Sequence, residues 1–282
     1  MTDNDVKAEL RGTWESAAPG WVKWEAVVAA GLVDATEAML DMAGVAADMR
    51  VLDLACGAGS QSLRAAERVG AGGHVLASDI SGTMLAHVQE TAKRNGIGNI
   101  ETLECAAEDL PATQRPFDAA ICRLGLMLFP APRQALQAVR SVLKPQARFA
   151  GLVFTTPANN PFMSQPMQIL LRHAGKPPPP AGKPGIFALG RPGLLEDLLS
   201  EAGFSAIEAH VVRAALRLES SAEALEMMQQ AFGAYRAVVA DLGSEARAAA
   251  WSEVGECLKQ FEGDKGFQAE LEFVIGSGAA AN

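Results

Sequence analysis

The chain is poor in positive charge and has no run of it. Its 282 residues carry 24 Lys and Arg against 33 Asp and Glu, a formal net charge of -9. A surface of that sign repels nucleic acid and anionic lipid headgroups, so a small-molecule substrate is expected and neither a nucleic acid nor a membrane is an expected partner. Oligomeric state is not readable from these features. Cysteine is scarce as well: Cys56, Cys105, Cys122 and Cys257 are scattered, with no C-x-x-C pair among them. Three fall in or beside predicted strands, which predicts buried thiols in a reducing compartment, the cytoplasm, with neither disulfides nor a metal site. No apolar run reaches the length of a membrane span, and the opening MTDNDVKAEL is polar and acidic, unlike a secretory leader. Internal repeats are absent. What remains, 49% hydrophobic and 20% charged residues, is the composition of an ordinary globular enzyme, one main domain with room for a sizeable insertion.

The most informative stretch runs from Arg50 to Met84. Val51-Leu52-Asp53-Leu54-Ala55 is too short for a helix and is closed by Gly57 and Gly59, so it reads as a buried strand entering a tight turn. Ser60 is the expected cap of the helix that follows, and Gly70 with Gly72-Gly73 stops it. Val75-Leu76-Ala77 then ends in Ser78-Asp79. In this β-α-β unit the glycines let a ligand lie against the backbone, and the helix start offers free N–H groups to an anion. An acid closing the second strand accepts bonds from two ribose hydroxyls, which points to an adenosine compound. A dinucleotide site would read G-x-G-x-x-G/A, whereas Ser62 holds the third place here.

Asp53-Leu54-Ala55-Cys56-Gly57-Ala58-Gly59 instead resembles the first motif of class I S-adenosylmethionine-dependent methyltransferases, with its acid four residues before the first glycine. Later segments carry the same resemblance. Cys105 to Pro111 resembles that family's adenine loop, with Ala106 where an acid is usual. Cys122-Arg123-Leu124-Gly125-Leu126-Met127-Leu128-Phe129-Pro130 resembles a segment of the bacterial branch related to ubiquinone/menaquinone biosynthesis C-methyltransferases. The Leu-x-x-Ala-Gly-Phe string ending at Phe204 resembles a late part of the same fold. The resemblance implies S-adenosyl-L-methionine as cofactor. It assigns Asp53, Ala55, Gly57, Gly59, Asp79, Ile80, Met84, Ala106, Ala107, Glu108 and Arg123 to its site. In that assignment the Ala107 amide bonds an adenine ring nitrogen, Glu108 or Asp109 accepts from its exocyclic amine, and Arg123 pairs with a carboxylate of cofactor or substrate, or with Glu108. The plainer readings are a solvated turn at Glu108-Asp109, a core residue at Met84 and a surface salt bridge at Arg123.

The implied fold is α/β: a doubly wound, seven-stranded, mostly parallel sheet of Rossmann-like methyltransferase type, in order 3-2-1-4-5-7-6 with the last strand antiparallel, carrying helical insertions. Residues 1–49 form an N-terminal helical cap, with a helix over 35–42 capped by Asp34. Residues 50–218 and 263–276 form the core. The Pro-rich stretch 155–190, with a helix over 162–173, and two helices over 221–242 and 244–261 cover the substrate. Residues 276–282 are expected to fray. The acceptor pocket is expected among Trp21, Trp24, Met127, Phe162, Met228 and Phe232, although such aromatic and Met stripes are more often core. His173 is the candidate general base, against the plainer reading of a surface histidine. The expected reaction is methyl transfer to a small, largely apolar or aromatic acceptor, and alignment alone supplies most of its rate. Two alternatives stand beside it: an NAD-dependent oxidoreductase and a non-catalytic S-adenosylmethionine-binding protein.

Overall fold

The computed structural model describes residues 3–112, 116–178, 183–264 and 266–281. Pro179 and Pro180, the end of the proline run, lie outside them, as does Asn282. Short apolar runs bounded by turn residues form the parallel strands β1 (Arg50–Leu54), β2 (His74–Asp79), β3 (Ile100–Glu104), β4 (Phe117–Arg123) and β5 (Leu143–Phe154). Helices α3 (Ser60–Val69), α4 (Gly82–Arg94) and α5 (Pro132–Val142) connect them. The central strands are buried along nearly their whole length because helices cover both faces. The Ser81 hydroxyl caps α4, accepting from the Met84 amide at 3.2 Å.

Two long strands complete the sheet, β6 (Phe204–Leu218) and β8 (Gly266–Ala280), with a two-residue β7 (Glu262–Gly263) beside β8. The order is β3-β2-β1-β4-β5-β8-β6, with β8 antiparallel to both neighbours. The family's expected order is therefore present, with β7 as one extra short strand. Residues 276–280 do not fray. They continue β8 between β5 and β6, where Gly276 and Gly278 admit the side chains of α7 (Leu194–Glu201) and Phe204: a Cβ on Gly276 would lie 2.6 Å from Leu195. A glycine- and alanine-rich run has low strand propensity, and close packing overrides it.

β5 pairs with β8 only as far as Phe154↔Phe273. Beyond that point β6 and β8 continue as a ribbon to Leu218↔Phe267, past the carboxyl edge of the parallel strands. The ribbon carries α8 (Ser221–Ala231), α9 (Gly233–Val238) and α10 (Ser244–Leu258). The single helix expected over 221–242 is thus two, because the backbone leaves helical geometry at Phe232 (φ -88, ψ 82). That break turns the Phe232 ring toward Trp21 and brings the Tyr235 hydroxyl to the Met163 carbonyl at 2.6 Å. Met163 lies on α6 (Pro161–His173), whose Phe162 packs edge-on against Phe261 and Phe267.

The N-terminal segment is α1 (Asp3–Gly31) and α2 (Val33–Met42). Asp34 lies in the first turn of α2 rather than at its cap, which Leu32 occupies. α1 approaches α8 so closely at Gly20 that a Cβ there would lie 2.0 Å from the Gln230 carbonyl oxygen.

Candidate functional site

The turn after β1 holds three left-handed residues, Ala55 (φ 54), Gly57 (φ 56) and Gly59 (φ 92). A Cβ on Gly59 would meet Val88 of α4 at 2.5 Å, so that glycine sets the approach of α4 to the loop. Gly57 has no atom within 4 Å of where its Cβ would be, which leaves its face open to the cleft. The cap of α3 is Gly59, not Ser60, and no side chain closes the helix start. The Ser60 hydroxyl instead accepts from Arg123 Nη2 at 2.6 Å. Open amides at a helix start beside a guanidinium form a site for an anionic group.

Asp53 is fully buried below this turn. Ser62 Oγ donates to its Oδ2 at 2.5 Å and Gln61 Nε2 to its Oδ1 at 3.4 Å. Burial pushes its carboxyl up to about 7, against the opposing pull of Ser62, Arg123 and Gln61. Ser62 occupies the place of a third dinucleotide glycine, and its hydroxyl is committed to Asp53. Asp79, at the end of β2, accepts from the Gly57 amide at 2.8 Å and the Ser81 amide at 2.9 Å. Burial raises its carboxyl, and those amides pull it back down. Arg123, at the end of β4, donates through Nη1 to Thr36 Oγ1 at 3.0 Å. Burial lowers its guanidinium to about 10, while Asp53 and then Glu25 act as opposing negative charges.

A cavity of about 400 Å³ lies beyond Asp79, lined by Ile80, Cys105, Ala106 and Asp109 from the core and Lys7, Ala8 and Arg11 from α1. Lys7 pairs with Asp109 at 2.7 Å, and Arg11 pairs with Glu104. Glu15 receives the Thr83 hydroxyl, which draws its carboxyl down, and α1 thereby lies across this end of the cleft. The expected adenine residues divide here. Ile80 and Ala106 line the cavity, whereas Met84 is buried in α4 and Glu108 accepts from the Ala131 amide at 3.2 Å, at the start of α5. Ala107 begins the adjoining 3-10 turn.

The expected acceptor residues are brought together only in part. Trp21 lies against Phe232 with ring centroids 5.8 Å apart, and Trp24 Nε1 donates to Gln230 Oε1 at 2.9 Å. Met127, Phe162 and Met228 are buried in the packed core. His173 Nε2 meets Glu253 Oε2 at 2.8 Å, at the outer end of α6. Sequence reasoning passed over Thr36, Ser60, Lys7, Arg11 and Glu25. Of these only Glu25 belongs to a pattern visible in the sequence, since it lies four residues after Trp21 and thus on the same face of α1.

A mostly parallel sheet with a glycine turn, a helix start and a strand-end acid converging on one edge is an arrangement shared with nucleotide-binding α/β folds. Residues 46–165 match the family model described as Methyltransferase domain. Over 121 residues, 43% of this chain and 48% of the relative, it is 35% identical to the ubiquinone/menaquinone biosynthesis C-methyltransferase UbiE of Idiomarina loihiensis. The chain thus spans about half the length of the curated relatives it matches. Among solved structures, BH2331 from Bacillus halodurans aligns over 88% of this chain and 99% of its own, with a TM-score of 0.59 at 17% identity. Phosphoethanolamine N-methyltransferase 2 of Haemonchus contortus, in complex with S-adenosyl-L-methionine, aligns over 88% of this chain and 53% of its own, with a TM-score of 0.53 at 17% identity. The fold is the Rossmann-like fold of these proteins.

Proposed function

We propose that this chain is an S-adenosylmethionine-dependent methyltransferase acting on a small, largely apolar or aromatic acceptor. The observation that carries this reading is the join between Asp79 and the glycine turn. The acid at the end of β2 holds the Gly57 amide in place and retains lone pairs for a ribose, beside a cavity with ample room for a nucleobase. The bound cofactor supplies an electrophilic methyl group. Asp79 orients the ribose, Gly57 admits the chain of atoms leading to sulfur, Arg123 and the start of α3 take a carboxylate, and α1 with the cap helices excludes water. No metal and no acyl-type nucleophile is required, because alignment of donor and acceptor supplies the rate.

An apolar acceptor is supported by the composition of the cap, where Trp21, Phe232 and Tyr235 adjoin, and by the likeness to the quinone-pathway enzyme. The four thiols stand free, which fits a cytoplasmic setting. Among the described residues no helix is long and apolar enough to cross a membrane. Calorimetric titration with S-adenosylmethionine and with NADH tests the reading. Binding of the first alone is expected, and Asp79→Ala weakens it by more than about tenfold through loss of a charged acceptor. Response to NADH alone refutes it. Transfer of a labelled methyl group to members of a phenol, quinol and amine panel then separates catalysis from mere binding.

A further inference from the structure

Glu25 is a carboxylate with one oxygen in use and one left over. Oε2 meets His87 Nε2 of α4 at 2.8 Å, and the His87 ring nitrogen is shared with the Thr91 hydroxyl at 3.4 Å. Oε1 is buried with no hydrogen-bond partner among the described residues, although the side chain as a whole is only 15% exposed. A buried carboxylate oxygen left unpaired is costly, so its place in the fold asks for a donor. On the other acids of the cleft each oxygen already accepts at least one bond: Asp53 from Ser62 and Gln61, Asp79 from the Gly57 and Ser81 amides. Arg123 experiences Glu25 as a neighbouring negative charge, and Arg123 itself leans on Ser60 at the first turn of α3. The cleft therefore carries a guanidinium beside the uncapped start of α3, and Glu25, near enough to act on that guanidinium, carries an open oxygen. That is the complement of an α-amino-acid zwitterion.

We propose that Glu25 of α1 binds the ammonium group of the cofactor's amino-acid tail, while Arg123 and the start of α3 bind its carboxylate. The inference rests on the S-adenosylmethionine reading and deepens it: the N-terminal helix is part of the cofactor site and not only a cover for the acceptor. His87 is a positioning residue, engaging Oε2 and leaving Oε1 for the ammonium group.

The test pairs a ligand change with a residue change, with binding measured by calorimetry and no turnover required. The ligands are S-adenosylhomocysteine and its deaminated analogue, which keeps nucleoside, thioether and carboxylate but lacks the amine. The natural chain is expected to prefer the amine-bearing ligand by at least about tenfold. Glu25→Gln, of the same shape, is expected to collapse that preference to within about twofold while leaving affinity for the deaminated analogue unchanged, which also shows the variant to be folded. A preference that survives Glu25→Gln overturns the proposal, as does equal weakening of both ligands, which marks a structural role. Failure of the natural chain to bind either ligand overturns the cofactor reading itself.

Discussion

Asp53 shows how far a single residue departs from what its position in a motif suggests. The acid four residues before the first glycine is legible in sequence, but its protonation is a product of depth. Fully buried, with a carboxyl pushed up from 3.8 to about 7, it keeps its proton in the folded chain over a range where the unfolded chain releases it. Its contribution to stability is present in full below about pH 4 and is lost as pH rises toward 7, with a slope of up to about 1.4 kcal/mol per pH unit. Asp53→Asn is expected to remove that slope. Urea unfolding of the ligand-free natural and variant chains at several pH values between about 5 and 7 isolates the difference, since other groups titrate alike in both. Parallel pH profiles count against a proton on Asp53. Glu108 carries the complementary lesson. Its position in the loop resembled an adenine contact, yet its carboxylate serves the Ala131 amide, and no local pattern announces a partner that many residues away.

At the scale of elements, the β1–α3 turn works because two helices meet over it. Gly59 combines a left-handed φ of 92 with a contact that would put a Cβ 2.5 Å from Val88. Gly59→Ala should therefore destabilise the protein by about 1–3 kcal/mol, from strain and overpacking together. Adding Val88→Ala relieves the overpacking and not the strain, so denaturant midpoints are expected to recover only in part; an unchanged midpoint in the single variant argues against the close approach. The glycine turn, the strands and the helix periods were readable because each is a local pattern of period or turn chemistry. Ser60 was not: a serine at a helix start reads as a cap, but Arg123 arrives from β4 and takes its hydroxyl. The break at Phe232 escaped for the same reason, since only packing against Trp21 and α6 distinguishes it from continuous helix.

On the scale of the whole molecule, α1 bridges two bodies of contact of different kinds. Its first half lies over the cavity through the Lys7–Asp109 and Arg11–Glu104 pairs and the Glu15–Thr83 bond, largely at the surface. Its second half is built into the cap through Gly20, the Trp21–Phe232 contact and the Trp24–Gln230 bond. Exposed ion pairs are worth about 0–1 kcal/mol each, far less than buried aromatic area. Amides of residues 7–16 should accordingly exchange with deuterium faster than those of 20–30 in the ligand-free protein, and slow once S-adenosylmethionine binds beneath them. Uniform protection along α1, with and without ligand, contradicts this division.

By itself the sequence determined the β-α-β unit with its glycines and strand-end acid, the succession of strands and helices, and the absence of a basic surface, because these depend on residues close together in the chain. The tertiary structure alone decided which oxygens are occupied and which are open. The partners of Asp53, Ser60, Arg123 and Glu108 come from separate elements. It also decided that the glycine-rich end of β8 lies inside the sheet and that α1 crosses the cleft with a spare carboxylate oxygen at Glu25. Hydrogen-bond satisfaction and close packing are properties of the assembled interior, and no local window of sequence contains them.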